Sequence, residues 1–178
     1  MEPVREIRNV LSTGLLHKMH NYIRSISDEY AWHTNSHWNA EIVNGSAAAI
    51  LTKMDHFRDE ITSELSVHIP EIESLELFIP FPSFFSIPPM GFFNWHEDVY
   101  PVNVSIYLNE FWDEKWGGFF LYENEGEIRG IKPEFNKAVV VGPYIKHSVT
   151  MIPPNCPTNR FSLQLFFIEK TKQVTSRL

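Results

Sequence analysis

Between Asn103 and Asn109 the chain alternates without a break, with Asn103, Ser105, Tyr107 and Asn109 on one side and Val104, Ile106 and Leu108 on the other. A period of two is that of a β-strand, whose successive side chains point to opposite faces. Just upstream, Asn94, His96 and Asp98 share one side while Phe93 and Trp95 take the other. A third run near the C-terminus repeats the pattern, setting Arg160, Ser162 and Gln164 against Phe161, Leu163, Leu165 and Phe167. In an ordinary half-exposed sheet the polar face meets water. Three such strands carrying His, Asp and Arg on that face suit another arrangement, in which the apolar faces are covered from outside and the polar faces line one wet cavity.

The N-terminal part supplies a cover. Val4 to Val10 reads as a short strand, and Ser12 is placed to cap a helix. Leu15, Leu16, Met19, Ile23 and Ile26 then recur at helical spacing. A second helix is expected from about Ser46, burying Ile50, Met54, Phe57, Ile61 and Leu65 and stopping before Pro70. From Leu75 onward helical periodicity gives way to short alternating runs punctuated by Pro and Gly, about eight strands in the last hundred residues. That pattern suggests an all-β sandwich or barrel, with two helices buttressing it. The length of 178 residues suits a single domain spanning 1–178, with helical support over 1–70 and a β core over 75–168.

Composition narrows the function classes. A net charge of −7 weighs against a general binder of nucleic acid or anionic membrane. One cysteine, Cys156, cannot form an internal disulfide, and no apolar run approaches the ~20 residues that a membrane-crossing helix needs. The charged start "MEPVREIRNVLS" has no apolar core of a secretory signal. A soluble, cytoplasmic protein is the expectation.

His96 and Asp98 stand two apart on a strand, so they project to one face about 6–7 Å apart at a rise of ~3.3 Å per residue, with Glu97 pointing away. Both could reach one metal ion. His147 is the candidate third ligand, being the one polar group on an otherwise apolar strand face (Ile145, Val149, Met151). Two His and one carboxylate on one side of a metal leave positions open, as suits non-haem Fe(II) and O₂ chemistry. Arg160 follows 13 residues after His147, and its planar guanidinium is fitted to grip a carboxylate; Ser162 and Tyr107 could add hydroxyls to the same group.

Taken together, "HED", roughly fifty residues, "H" and then "RFS" resemble the Fe(II)/2-oxoglutarate-dependent dioxygenase superfamily. The stretch "YLNEFWDEKWGGFFLYE" is similar to the YLN–W–GG block of its prolyl-hydroxylase-like branch. The resemblance spans about Leu75 to Phe167 and implies a mainly β (α+β) fold, a double-stranded β-helix of jelly-roll or cupin-like kind. It implies that His96, Asp98 and His147 are catalytic iron ligands, that Arg160 pairs with the distal carboxylate of 2-oxoglutarate, and that Tyr107 assists. It implies Fe(II), 2-oxoglutarate and O₂ as cofactor and co-substrates, with ascorbate in support, and release of succinate and CO₂ as a C–H bond is hydroxylated. Related halogenases replace the carboxylate ligand by a small residue, so Asp98 favours hydroxylation. Relatives often carry Tyr-Pro-Gly where this chain has Ile87-Pro88-Pro89, which leaves a second co-substrate tyrosine unsupported.

Each residue alone has a plainer reading: His147 as a hydrogen-bonded core histidine, Arg160 as a structural ion-pair partner, Trp95 as a core aromatic. Cys156, in a Pro-rich turn without an activating neighbour, is not expected to be a catalytic thiol, and the acidic Glu123–Glu127 segment reads as a solvated hairpin tip. Asn94, Asn109, Trp38 and Asn39 are candidate substrate contacts. The substrate is expected to be an amino-acid residue in a peptide or a free small molecule, the modest length favouring a small or flexible one. A nucleic-acid demethylase of the superfamily fits less well, because Phe166 stands where those enzymes typically have a further arginine. The competing class is a non-catalytic cupin-like module that holds a metal or ligand without turnover; oligomeric state is left open.

Overall fold

The computed structural model describes residues 2–25, 33–34, 42, 50–78 and 82–170. Twelve strands and two α-helices are described, in the order β1 (Val4–Arg8), α1 (Thr13–Ser25), β2 (His33–Thr34), β3 (Ile50–Lys53), α2 (Arg58–His68), β4 (Leu75–Leu77), β5 (Ser83–Ile87), β6 (Phe93–His96), β7 (Val102–Tyr107), β8 (Phe120–Asn124), β9 (Glu127–Ile131), β10 (Lys137–Val141), β11 (His147–Val149) and β12 (Arg160–Glu169). They form two antiparallel sheets, the larger ordered β1-β10-β7-β12-β5-β3-β2 with β4 also paired to β12, the smaller ordered β6-β11-β8-β9. From β5 to β12 the chain passes back and forth between the sheets, apart from the β8–β9 hairpin, as in a double-stranded β-helix.

The alternation of β7 and β12 does what the sequence requires. Val104, Ile106, Leu163 and Leu165 are fully buried on the outer face of the large sheet, in one cluster with Leu15, Leu16 and Met19 of α1 and Ile61 and Leu65 of α2. Each such aliphatic side chain contributes about 1.5–3 kcal/mol by leaving water, so the helices and the large sheet hold each other in place. Ser12 caps α1 through its hydroxyl, which accepts from the Leu15 amide at 3.2 Å. The opposite faces of β7 and β12 turn toward the small sheet, so the polar side chains are enclosed between the sheets.

Two expectations change. Helical spacing from Ser46 does not describe Ile50–Lys53, which forms strand β3 paired with β5 through Ile50↔Ser86 to Lys53↔Ser83. A short apolar run carries too few turns to distinguish the two periods, and the sheet edge takes it. A 3-10 turn over Asp55–Phe57 leads into α2, which ends at His68, before Pro70. Met54, Phe57, Ile61 and Leu65 are buried as expected; Ile26 lies outside the described residues.

Candidate metal centre

β6 and β11 are neighbours in the small sheet, and His147 pairs directly with His96 across them. Their rings lie 4.2 Å apart between centroids, and Phe120 stacks on His147 at 5.2 Å. Asp98 follows β6 by two residues, and its backbone carbonyl accepts from the Tyr144 amide at 2.8 Å. One ligand atom from each of His96, Asp98 and His147 lies within 4.8 Å of the others, a spacing one metal ion can bridge.

The proton positions also suit a metal. His96 Nδ1 lies 2.7 Å from the carbonyl of Asn94, and His147 Nδ1 lies 2.7 Å from that of Ile145. A carbonyl oxygen can only accept, so each Nδ1 carries the proton and each Nε2 keeps its lone pair. Backbone carbonyls thereby fix both rings and their tautomers, the support that metal-ligating imidazoles usually have. Burial, and then the neighbouring His96, push His147 below the usual imidazole value of 6.5, against the opposing pull of the Ile145 carbonyl and the charges of Asp98 and Glu97. A neutral imidazole is the form that binds metal.

The large sheet supplies the other wall of a cavity of about 120 Å³. Asn103, Ser105, Arg160, Gln164 and Phe166 line it opposite His96, Asp98 and His147. Their register explains this: Phe166 pairs with Asn103, Gln164 with Ser105, and Ser162 with Tyr107. Arg160 is 2% exposed, with its Cζ 4.9 Å from the centroid of the Tyr107 ring. Neither Arg160 Nε nor the Tyr107 hydroxyl has a hydrogen-bond partner among the described residues, and no carboxylate among them pairs with the guanidinium. A buried cation without an anion is costly, and this pair of orphaned donors fits a carboxylate supplied by a ligand. Burial raises the Tyr107 phenol above its usual value, with Arg160 pulling the other way, so it stays a neutral donor.

Several candidates are placed differently from the simple alternation. The register between β11 and β6 shifts between the pairs His147↔His96 and Val149↔Phe93, so β6 spends one extra residue there. This bulge turns Phe93 onto the cavity wall beside His96 and leaves Asn94 and Trp95 exposed. Trp95 is therefore not a core aromatic; it is 39% exposed, with the Lys146 ammonium 5.8 Å from its ring. Asn109 lies past the end of β7, where it donates to the Asn159 carbonyl and accepts from the Phe161 amide, away from the cavity. The Ser162 hydroxyl is fully buried and accepts from the Gln164 amide at 3.1 Å, and Ser105 donates to Gln164 Oε1 at 2.6 Å. Ile87, in place of a second tyrosine, is buried opposite Arg160 on β5. Trp38 and Asn39 lie outside the described residues. Within the Gly-rich block, the Trp112 indole donates to the Gly117 carbonyl at 2.9 Å.

Sequence reading missed an aromatic cluster that joins the cavity wall at Phe166 to the surface. Phe166 stands 5.0 Å from Tyr100, and Tyr100 stands 5.0 Å from Phe78, which is 52% exposed. Phe166 shares the parity of Arg160 and Gln164, a signal available in the sequence; the contacts with Tyr100 and Phe78 join distant segments and leave none.

The family model of the 2OG-Fe(II) oxygenase superfamily matches residues 83–168, which hold every residue of this centre. Residues 83–168 belong to that superfamily. The chain is thus an enzyme of the Fe(II)/2-oxoglutarate dioxygenase class, and the non-catalytic module is set aside. Solved structures share the fold at low identity. A prolyl-4-hydroxylase from Pseudomonas putida is 18% identical with a TM-score of 0.70, covering 95% of this chain and 94% of that one. A prolyl hydroxylase from Trichoplax adhaerens, in complex with a hypoxia inducible factor oxygen degradation domain peptide fragment, is 16% identical with a TM-score of 0.73, covering 95% and 84%. The non-haem alpha-ketoglutarate-dependent epimerase SnoN, from nogalamycin biosynthesis, is 11% identical with a TM-score of 0.65, covering 95% and 79%. The same fold thus carries more than one reaction outcome. No curated protein sequence matches significantly. Among the described residues, no helix is long and apolar enough to cross a membrane.

Proposed function

We propose that this oxygenase hydroxylates an unactivated C–H bond of an amino-acid residue in a peptide or of a free small molecule, with one oxygen of O₂ entering the product and the other entering succinate. One observation carries the reading: a buried guanidinium without a described anion shares a cavity with three ligand atoms set within 4.8 Å of one another. His96, Asp98 and His147 would hold the ferrous ion, and Arg160 with Tyr107 would hold the distal carboxylate of 2-oxoglutarate. When bound, iron and 2-oxoglutarate together supply O₂ activation, with oxidative decarboxylation to succinate and CO₂.

The chain's own residues contribute orientation and dryness. The carbonyls of Asn94 and Ile145 hold the two Nδ1 protons and so keep both Nε2 lone pairs free for a metal. Phe85, Phe93, Phe120 and Val149 surround the polar groups with hydrocarbon, which limits water at the reacting centre. The mutually tilted rings of Phe166, Tyr100 and Phe78 offer an aromatic approach that suits a prolyl ring or another compact apolar group.

The test is to incubate the protein with Fe(II), 2-oxoglutarate and O₂ and to measure succinate, then to screen peptide and metabolite pools by mass spectrometry for a gain of one oxygen. Substrate-dependent succinate with a matching oxidised product is expected. Succinate accompanied by an isomerised or desaturated product would overturn hydroxylation.

A further inference from the structure

Asp98 is the one proposed ligand that no strand holds. It lies beyond the end of β6, in a segment without regular pairing, so its carboxylate needs an anchor from elsewhere. Asn103 is that anchor: its Nδ2 donates to Asp98 Oδ2 at 2.8 Å. A carboxylate only accepts, so the nitrogen end of the amide must face it and the assignment of the two amide atoms follows.

Asn103 is itself rigidly placed. It belongs to β7 and pairs with Val141 of β10 on one side and Phe166 of β12 on the other, within the interior of the large sheet. It is 6% exposed and lines the cavity. The contrast with two other buried asparagines is informative. Asn136 uses both ends of its amide on the backbone of Leu11, and Asn109 uses both ends on Asn159 and Phe161. Those amides stitch backbone together. Asn103 spends its donor on a cavity carboxylate and leaves Oδ1 buried with no partner among the described residues. An orphaned buried carbonyl is costly, and the arrangement has no structural return apart from the orientation of Asp98.

The geometry points to Asn103 as a positioning residue for the metal, holding Asp98 Oδ2 so that the carboxylate meets the ion in one orientation, with Oδ1 left to accept from a donor on a bound ligand. This rests on the reading that Asp98 is a metal ligand. The amide removes a rotational freedom that Asp98 would otherwise lose on each binding event, and it drains charge from the carboxylate. Partners of this kind typically change metal affinity by about 10–100-fold when removed.

The test uses the full chain and Mn(II), followed by electron paramagnetic resonance. Asn103→Leu keeps the volume and excludes water, whereas Asn103→Ala leaves room for a water to replace the donor. With folding checked by thermal melts, Leu is expected to weaken Mn(II) binding about 10–100-fold and Ala by less. Mn(II) affinities within about threefold of the parent for both folded variants would overturn the inference. Absence of binding by the parent would instead overturn the metal centre itself. If neither variant folds, the native chain decides: with ¹⁵N-asparagine, one Asn103 amide proton is expected to be protected from exchange and to shift on Zn(II) addition. Rapid exchange of both side-chain protons, with no shift, would sink the proposal.

Discussion

Gly118 stands against the stem of Arg160: a Cβ on this glycine would lie 3.0 Å from Arg160 Cδ and 3.3 Å from the Trp112 ring, and its φ is +66°. Gly118 therefore leaves the space through which the arginine reaches the cavity, while a Cβ on its neighbour Gly117 would meet the Met151 carbonyl instead.

Gly118→Ala should act twice. The left-handed backbone costs about 1–3 kcal/mol for a residue with a Cβ, and the added methyl presses on Arg160. Urea midpoints should fall, and the KM for 2-oxoglutarate should rise. Gly126→Ala is the control, since Gly126 has φ +81° but nothing within 4 Å of its would-be Cβ. It should lose stability and leave the KM unchanged; an equal KM effect in both variants would remove the packing explanation.

Arg160→Leu separates binding from folding. The guanidinium is buried and meets no anion among the described residues, so an apolar replacement should leave the apo chain as stable or more stable. A charged hydrogen bond is worth about 1.5–3 kcal/mol, so 2-oxoglutarate should bind about 10–150-fold more weakly. Thermal melts with Mn(II) and increasing 2-oxoglutarate check both at once: the variant should need about 10–150-fold more co-substrate than the parent for the same gain in stability. A variant that melts far lower without ligands would mark Arg160 as structural instead.

The Tyr107 hydroxyl invites a milder change. Removing an orphaned buried hydroxyl leaves no partner behind, so Tyr107→Phe should not destabilise the apo chain. The lost hydrogen bond should weaken 2-oxoglutarate by about 0.5–1.5 kcal/mol, or roughly 2–10-fold. Isothermal titration in the presence of Mn(II) reads this directly, and an unchanged affinity would detach Tyr107 from the co-substrate.

The sequence carried the enclosed polar face because parity survives folding wherever strands pair regularly. Asn103, Ser105, Arg160 and Gln164 reach the cavity for that reason, and His147 betrayed itself as the polar residue on an apolar strand. Parity failed where regular pairing failed. The bulge in β6 moved Phe93 inward and Asn94 outward, and Asn109 lies past the last paired residue of β7; Trp95 keeps the side opposite His96 but meets solvent there instead of the core. The spacing over Ile50–Lys53 suits a helix as well as a strand because four residues span barely one turn, and the partner that decides the matter, β5, lies thirty residues on. The bond from Asn103 to Asp98 joins residues five apart but depends on the path of an irregular segment, which no periodicity encodes.

His147 gives the chain a pH signature with a definite sign. Its folded pKa lies below the usual imidazole value of 6.5, chiefly through burial. Between 6.5 and that lower value the unfolded chain binds more protons than the folded one, so stability is full above about pH 6.5 and falls as the pH drops through the window. Metal binding requires the same neutral ring, so Mn(II) affinity should hold above that range and decline below it as protons compete. His147→Gln removes the titrating group and should abolish this share of the slope in urea midpoints of the apo chain, while also losing high-affinity Mn(II) binding. Parallel pH profiles for parent and variant would show that His147 is not the group that titrates.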